Sequence, residues 1–471
     1  MTLFYGVLHG VNHPEGPKTA MDSDIKLVAI EPTFEDLRLR TPLKFGTGVI
    51  YTTTSLTVKA TVESRLGARA DGLGNILLSY VWGYPSAAMS SEDRDMAMRR
   101  VSEKFCDLML TNAEFGHPMD LYLEAKDELP RLAAEVDEQM QVADPMPLLG
   151  ALVCASPTDA ALADAFGKVN GICTYDGYTR EFMSHDLSRW CGPRFAGKYP
   201  GDYLHSAYKA YLPIFRLVGG LDKLTASEIT DEDPQDGLPV SLDQWIERDG
   251  IRCFKVKLRG NDNEWDVQRT AEIARVIRET YDRLGIDGDF YLSTDSNEMN
   301  PDPESVVEYL HKLQELSPAA YDALLYLEQP TERDLTRSRF DMSQVARMKP
   351  VVVDEGVTSL EMMDLAIELG WSGVGLKTCK GHSSALLYVA KAVEQGLVLT
   401  FQDLTNPGLS LVHEAGFAAR IDTLKGFEYN SRQYLPDAHA DVKALHGGLC
   451  AVMDGQVSTK SISGAGLGYG M

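Results

Sequence analysis

From Leu212 onward, the chain alternates eight short strand-like runs with amphipathic helical segments. The helical segments are apolar at intervals of three and four residues, as in residues 264–285, and several end at a glycine. This alternation is the pattern of parallel strands joined by helices and closed into a barrel. We therefore predict an α/β fold whose core is a (β/α)7β TIM-type barrel. The predicted strands are residues 212–219, 253–260, 289–296, 324–330, 350–356, 373–379, 397–403 and 427–433.

The 471 residues leave room for a second domain before the barrel. Residues 1–90 are dominated by β-type runs such as 56–67, separated by turn-rich pieces such as ADGLGN at residues 70–75. Helical periodicity follows over residues 91–142 and again over 157–171. The predicted units are an α+β capping domain (1–150), a helical connection with an insertion (151–211), the barrel (212–439) and a C-terminal segment that packs on the capping domain (440–471).

Charge and cysteine content exclude several classes of protein. The formal net charge of -24 gives a field that repels nucleic acid and anionic membranes, so we expect neither as a partner. Residues 1–16 lack the basic and apolar regions of a signal peptide, and no apolar run reaches the length of a membrane span. The seven cysteines form no CxxC pair, which argues against a disulfide framework or a zinc site. We expect a cytoplasmic protein, and a homo-oligomer stays open.

Two lysines lie two positions apart in the second predicted strand, CFKVKL. Side chains alternate between the faces of a strand, so Phe254, Val256 and Leu258 form one apolar face. Lys255 and Lys257 then both point into the barrel, where ammonium groups are costly unless anions lie close to them. Lysines at this spacing also occur on solvated strand edges, and nearby acidic residues would decide between the two interpretations.

The next three predicted strands each deliver an acidic residue at their carboxyl end: Asp295, Glu328 and Asp354, with Glu355 as the alternative to Asp354. Intervals of 33, 26 and 23 residues lead from Asp295 through these acids to Lys377, and each fits one strand–helix unit. The residues should therefore meet at one rim of the barrel. Carboxylates without His or Cys favour a hard cation, Mg²⁺ or Mn²⁺. Each acid alone is also compatible with helix capping or turn formation.

A metal beside lysines favours the removal of a proton from the carbon next to a substrate carboxylate. Charge builds on the carboxylate oxygens in this reaction, and a cation stabilises the resulting enediolate. A lysine near another cation has a lowered pKa, and Lys255 beside Lys257 would supply that condition. Lys377 enters from the sixth strand, roughly opposite the second. Two lysines on opposite faces of one carbon would allow racemisation or epimerisation.

The series KVK, TDSN, EQP, VDEG and GLKTCKG resembles the enolase superfamily. Within it, the chain resembles the muconate lactonizing enzyme-like group of the mandelate racemase/muconate lactonizing enzyme family. The resemblance covers the barrel to about Pro436, and the first unit and the tail are similar to the capping domain of the superfamily. The mandelate racemase branch carries a His on the seventh strand, whereas LVLTFQDLT has none.

The resemblance implies roles for individual residues. Lys257 and Lys377 would be the acid/base pair, and Lys255 would tune Lys257 or contact the substrate carboxylate. Asn297 would support the metal shell, and residues 41–53 would form a mobile loop over the substrate. The implied Mg²⁺ ligands are Asp295, Glu328 and Asp354.

Several alternatives stay open. The leading hypothesis is a racemase or epimerase that acts on a small carboxylate, such as an N-acylated amino acid or a dipeptide. A dehydratase of acid sugars or a cycloisomerase would share the same enediolate. From another class, Lys257 or Lys377 would be a Schiff-base nucleophile of a metal-free aldolase, or the barrel would be non-catalytic. We expect a loop role for Lys380, while Asp403 and Glu428 either contact the substrate or Lys377, or cap helices.

Overall fold

The first part of the chain is built on an antiparallel sheet. The structure, a computed structural model, describes residues 20–45 and 48–470, so residues 1–16 discussed above lie outside the described residues. Strands β1 (Ile25–Phe45), β2 (Gly48–Ser64) and β3 (Arg69–Leu78) pair in the order β1–β2–β3. The helices that follow are α1 (Tyr80–Gly83), α2 (Ser91–Thr111), α3 (Pro118–Lys126), α4 (Leu129–Met140) and α5 (Leu148–Asn170). The predicted α+β capping domain is confirmed.

Strand β3 lies directly against helix α5, with almost no space between the two backbones. A Cβ atom on Gly72 would lie 2.1 Å from the carbonyl oxygen of Ala161, and one on Gly74 would lie 1.9 Å from that of Pro157. The prediction of a turn-rich piece at residues 70–75 was therefore wrong. These glycines lie inside a strand, where they permit the close approach of a helix.

Replacing Gly74 with alanine is expected to lower the free energy of unfolding by about 2 kcal/mol or more, because the added methyl group overlaps a backbone carbonyl that cannot rotate away. Urea unfolding followed by circular dichroism measures this loss. The matched control is Gly220→Ala, because the nearest heavy atom to a Cβ there is 3.9 Å away, in the side chain of Lys44. Equal stability of the Gly74 variant and the control would contradict the close approach.

Helix α5 is the central helix of the capping domain. It begins at Leu148 and contains Pro157 in its interior, whereas the sequence pattern predicted a helix over residues 157–171. The predicted domain boundary at residue 150 therefore falls inside a helix. Among the described residues, α5 alone is long and apolar enough to cross a membrane, yet 94% of its most apolar window is buried. Such burial is typical of a helix in the core of a folded domain.

Eight parallel strands form the barrel. They pair in chain order from β4 to β11, and the pairing of β11 with β4, with Phe427 opposite Ile214, closes the sheet. The strands are β4 (Tyr211–Val218), β5 (Cys253–Lys257), β6 (Tyr291–Asp295), β7 (Leu324–Glu328), β8 (Val351–Val353), β9 (Gly373–Leu376), β10 (Val398–Phe401) and β11 (Phe427–Glu428). All eight lie within or beside the predicted runs, and the predicted TIM-type barrel is confirmed.

Helices cover the outside of this sheet. Several begin after a residue whose side chain caps the helix, as at Asp262, whose side chain accepts a hydrogen bond from the N–H of Trp265. The helices after the capping domain are α6 (Ser188–Cys191), α7 (Leu242–Asp249), α8 (Asn263–Leu284), α9 (Pro303–Leu316), α10 (Pro318–Ala323), α11 (Ser343–Met348), α12 (Leu360–Glu368), α13 (His382–Gln395), α14 (Gly408–Ala419), α15 (Ser431–Tyr434) and α16 (Ala440–Lys443).

The stretch after α5 and the C-terminal segment both contact the barrel. In the stretch after α5, the Tyr175 ring lies 5.5 Å from that of His382 on α13 and 5.8 Å from that of Phe417 on α14. Near the C-terminus, β12 (Gln456–Ser458) pairs antiparallel with β4. Further along, the N–H of Leu467 donates to Asp164 of α5 at 2.9 Å. The C-terminal segment thus contacts both the barrel and the capping-domain helix.

One buried carboxylate ties α5 to the barrel. Asp159 accepts hydrogen bonds from the N–H and the hydroxyl of Ser383, both at 2.7 Å, at the start of α13. Burial raises the pKa of Asp159 to about 7, although these two hydrogen bonds act in the opposite direction. At neutral pH the capping domain is therefore held by a carboxyl group that is partly protonated.

This pKa makes stability depend on pH in a defined direction. An acid with a higher pKa in the folded than in the unfolded state loses stabilisation as pH rises through that interval, here from about pH 4 to pH 7. The loss amounts to at most roughly 4 kcal/mol for this shift. Urea unfolding near pH 5 and near pH 8 is expected to show that Asp159→Asn becomes more stable relative to the unchanged protein at the higher pH. Parallel pH profiles would contradict this expectation.

Candidate active site

A cavity lies at the carboxyl ends of the barrel strands, beneath the capping domain. Parallel pairing places Lys257 directly opposite Asp295, and Asp295 directly opposite Glu328, so these three residues lie at one level of the barrel. Lys255 lies two residues earlier on the same face of β5. The charged residues that line the cavity are Lys255, Lys257, Asp295, Lys377, Asp403 and Glu428.

Lys255 is the centre of a buried charge network. Its Nζ lies 2.8 Å from Glu328 Oε1, 3.0 Å from Asp295 Oδ2 and 3.1 Å from Glu428 Oε2, and the residue is 2% exposed. Burial alone would lower the pKa of Lys255, but the three carboxylates outweigh burial and hold this pKa well above its usual value. The three carboxylates therefore decide the direction in which the pKa of Lys255 is shifted.

Lys257 is held at the end of β5 by two residues from β6 and its following turn. Its Nζ donates to Asp295 Oδ2 at 2.5 Å and to Asn297 Oδ1 at 3.1 Å. Burial would raise the pKa of Asp295, yet Lys257 and Lys255 hold this pKa far below its usual value. Asn297 adopts a φ of 47°, a left-handed conformation that is found at functional sites when surrounding contacts enforce it.

Lys377, at the end of β9, is buried against Asp354. Its Nζ lies 2.7 Å from Asp354 Oδ2, while Lys380 Nζ lies 3.0 Å from Oδ1 of the same carboxylate and donates to its backbone carbonyl at 2.8 Å. Burial alone would raise the pKa of Asp354, but Lys377 and Lys380 lower it to about 2. The prediction of a loop role for Lys380 was wrong, because its side chain is 1% exposed and clamps Asp354.

Trp82 of α1 brings the capping domain into contact with the barrel charges. Lys377 Nζ lies 4.2 Å from the centre of the indole ring, and the indole N–H donates to Glu355 Oε1 at 2.8 Å. Burial and the neighbouring Asp354 raise the pKa of Glu355 to about 7. Asp354 and Glu355 thus face different partners, lysines for the first and the capping domain for the second. Trp82 was not among the predicted site residues, because its partners are distant along the chain.

The three predicted ligands Asp295, Glu328 and Asp354 have the oxygen donors that a divalent cation requires, but they lie too far apart to bind one in this structure. Across residues 20–45 and 48–470, no three His, Cys, Asp or Glu residues lie close enough together to hold a metal ion. Lys255 bridges Asp295 and Glu328, and lysines also hold Asp354. The donor set nevertheless suits a hard cation, because all donors are buried oxygens and Glu328 Oε2 has no hydrogen-bond partner in the described structure.

The remaining predicted residues fall at or near the cavity. The backbone N–H of Asp403 donates to Glu428 Oε2 at 3.2 Å, and burial together with Glu428 raises the pKa of Asp403 to about 7. The prediction of a loop over residues 41–53 was wrong for most of this segment, because residues 41–45 belong to β1 and residues 48–53 to β2. The segment contributes Leu43, Ile50 and Thr53 to the lining, and its residues 46 and 47 lie outside the described residues. No histidine of the described chain lines the cavity, in agreement with the absence of a strand-end histidine from the sequence.

Comparisons with known proteins agree with this fold. Residues 239–471 match the family model described as Enolase C-terminal domain-like. Residues 239–471 therefore belong to the enolase superfamily. This confirms the resemblance inferred from the strand-end motifs. A comparison of the sequence with curated proteins finds no match.

Solved structures of the superfamily share the whole architecture at low identity. A muconate lactonizing enzyme from Mycobacterium smegmatis, complexed with muconolactone, has a TM-score of 0.59 and 17% identity over 94% of this chain and 96% of its own. The L-Ala-D/L-Glu epimerase from Bacillus subtilis has a TM-score of 0.58 and 16% identity over 94% and 98%. A dipeptide epimerase from Enterococcus faecalis V583, complexed with Mg and the dipeptide L-Leu-L-Tyr, has a TM-score of 0.54 and 14% identity over 86% and 90%.

The contact between Trp82 and Lys377 predicts an energetic coupling. Trp82→Leu removes the ring from the ammonium group, and a buried cation–π pair contributes about 1 to 2 kcal/mol. A double-mutant cycle with Lys377→Met, measured by urea unfolding, is expected to give a coupling energy of about 1 kcal/mol or more. Trp371→Leu is the matched control, because Trp371 is also buried but precedes β9, at the opposite end of that strand from Lys377. Additive effects in both cycles would contradict the coupling.

Proposed function

We propose that this member of the enolase superfamily abstracts the α-proton of a small carboxylate substrate in a Mg²⁺-dependent reaction. Its product would be the racemised or epimerised form of an amino-acid derivative or dipeptide. The main support is the pair of buried lysines, Lys257 and Lys377, that enter one cavity from strands β5 and β9. Three strands separate β5 from β9 on one side of the eight-stranded barrel, so the two lysines approach from opposite sides.

Each lysine has a separate task in this proposal. Lys257 takes the α-proton from one face of the substrate carbon, and the conjugate acid of Lys377 returns a proton to the other face. The roles exchange in the reverse direction, since the same two groups must serve both stereoisomers. Lys255 is buried among carboxylates and acts as a fixed positive charge near the substrate carboxylate.

The metal ligands of the proposal are Asp295, Glu328 and Asp354. Bound Mg²⁺ would supply positive charge at the substrate carboxylate as the α-proton leaves. Asp354 is preferred to Glu355 because its carboxylate faces the barrel lysines, whereas Glu355 is bonded to Trp82. Clamping by Lys380 fixes the orientation of Asp354. The dipeptide epimerase complex that contains Mg supports this choice of ion by analogy.

The alternative proposal is an elimination or cycloisomerisation that begins with the same proton transfer. Acid-sugar dehydration and muconate lactonisation belong to this group, and the likeness to a muconate lactonizing enzyme favours keeping it. Net loss of water or opening of a ring would identify it. We also propose a cytoplasmic location, which the seven free cysteines favour.

The proposal predicts metal-dependent exchange of the α-proton. The protein would be incubated with Mg²⁺ and pooled chiral dipeptides, N-acyl amino acids and acid sugars in D₂O, and exchange would be followed by NMR and mass spectrometry. Lys257→Ala and Lys377→Ala are each expected to lose interconversion of the stereoisomers by roughly 100-fold or more, because each variant lacks the proton carrier on one face. Each variant retains deuterium exchange for at most one stereoisomer.

Lys391→Ala is the matched control, because Lys391 is also buried and ion-paired, with Asp364 at 2.5 Å, but does not line the cavity. Its exchange rate should equal that of the unchanged protein. Chelation of the metal should stop exchange. Activity that persists without metal and is trapped by borohydride would replace this proposal with the Schiff-base aldolase.

A further inference from the structure

The six charged residues that line the cavity, all from the barrel, form its charged floor. The cavity also has an aliphatic wall. The capping domain contributes Leu39, Leu43, Ile50 and Leu77 to the lining. Leu43 and Ile50 are cross-strand partners near the tip of the β1–β2 hairpin. Four apolar side chains of one domain therefore face the lysines of the other across the cavity.

The barrel extends this wall. Leu217 of β4, Leu404 after β10 and Leu435 after α15 also line the cavity. Leu217 and Leu435 belong to the same apolar cluster as the four capping-domain residues. The wall is thus a continuous surface that spans both domains, and an apolar group that packs against it is stabilised by the removal of its surface from water.

The cations of the cavity are already engaged by carboxylates. Lys255, Lys257 and Lys377 each lie within 3.0 Å of an acidic oxygen, and no arginine of the described residues lines the cavity. Arg40 follows Leu39 in sequence but donates to Asp236 at 2.6 Å, away from the cavity. Among the residues that the structure describes, the cavity offers no cation to a second substrate anion beyond the lysines that the reaction uses.

We propose that the substrate carries an apolar, uncharged side chain that packs against this aliphatic wall. The inference rests on the proposed function, since it assigns the reacting carboxylate to the charged floor. A second carboxylate, as in a glutamyl side chain, would be desolvated against leucines without a cation.

The test compares substrates that differ only in the side chain. With the Mg²⁺-loaded protein, kcat/KM for α-proton exchange would be measured for N-acetyl-L-leucine against N-acetyl-L-glutamate, and for L-Ala-L-Leu against L-Ala-L-Glu. Within a pair the scaffold is the same, so the ratio reports the side chain alone. The leucine compound is expected to react at least about tenfold faster within a pair, as a charge buried without a partner requires. A ratio near one, or a preference for glutamate, overturns the inference.

Variants of the wall test its location. Leu39→Arg should reduce the leucine-to-glutamate ratio by at least about tenfold, because it supplies the missing cation. Leu39→Met keeps the volume and should keep the ratio. Leu66→Arg is the surface control, since Leu66 is 84% exposed in the β2–β3 turn. If Leu39→Arg does not fold, Leu43→Arg takes its place.

Failure of the proposed function gives a different result. If none of the four compounds exchanges its α-proton, the racemase proposal is rejected for these scaffolds. The wall is then tested by isothermal titration calorimetry of the Mg²⁺-loaded protein with N-acetyl-L-leucine and N-acetyl-L-glutamate. Tighter binding of the leucine compound supports the inference. Equal affinity, reversed affinity or no measurable binding of either compound overturns it.

Discussion

Mutual neutralisation of buried lysines and carboxylates is the interaction on which the site depends. Lys255 contacts acids from three strands, so any one of these charges would be left uncompensated in the barrel if its partners were removed. The network therefore constrains β5, β6, β7 and β11 to a common register at their carboxyl ends. A barrel filled with aliphatic residues would be free of this constraint, and it would also lack the groups that transfer protons.

The capping domain completes a site whose charges all come from the barrel. Trp82 covers the ammonium group of Lys377 and accepts a hydrogen bond from Arg333 through its carbonyl oxygen at 2.9 Å. In a second contact between the domains, Asp159 of α5 holds the start of α13 through Ser383. These contacts fix the aliphatic wall relative to the charged floor. The geometry of the cavity is thus a property of the domain pair.

Much of this arrangement follows from local sequence rules. The eight strands were predictable because strand-like runs alternate with amphipathic helical segments along the chain. In β5, the apolar neighbours Phe254 and Val256 require Lys255 and Lys257 to face inward. The structure accordingly brings these lysines together with Asp295 and Glu328. The errors arose where tertiary contact decides the outcome. In sequence, a glycine that permits close packing of a helix cannot be distinguished from a glycine in a turn. The burial of Lys380 depends on its contacts with backbone carbonyls and a carboxylate on neighbouring strands.

The barrel supplies the charged residues of the cavity, and the capping domain supplies aliphatic residues. This separation has a consequence for protein engineering and for divergence among relatives. The tip of the β1–β2 hairpin contacts the cavity through side chains that take no part in the charge network. Sequence changes there can reshape the space available to a ligand while the ion pairs of the barrel stay intact. A small combinatorial library restricted to this hairpin would therefore sample new selectivities without disturbing the proton chemistry beneath it.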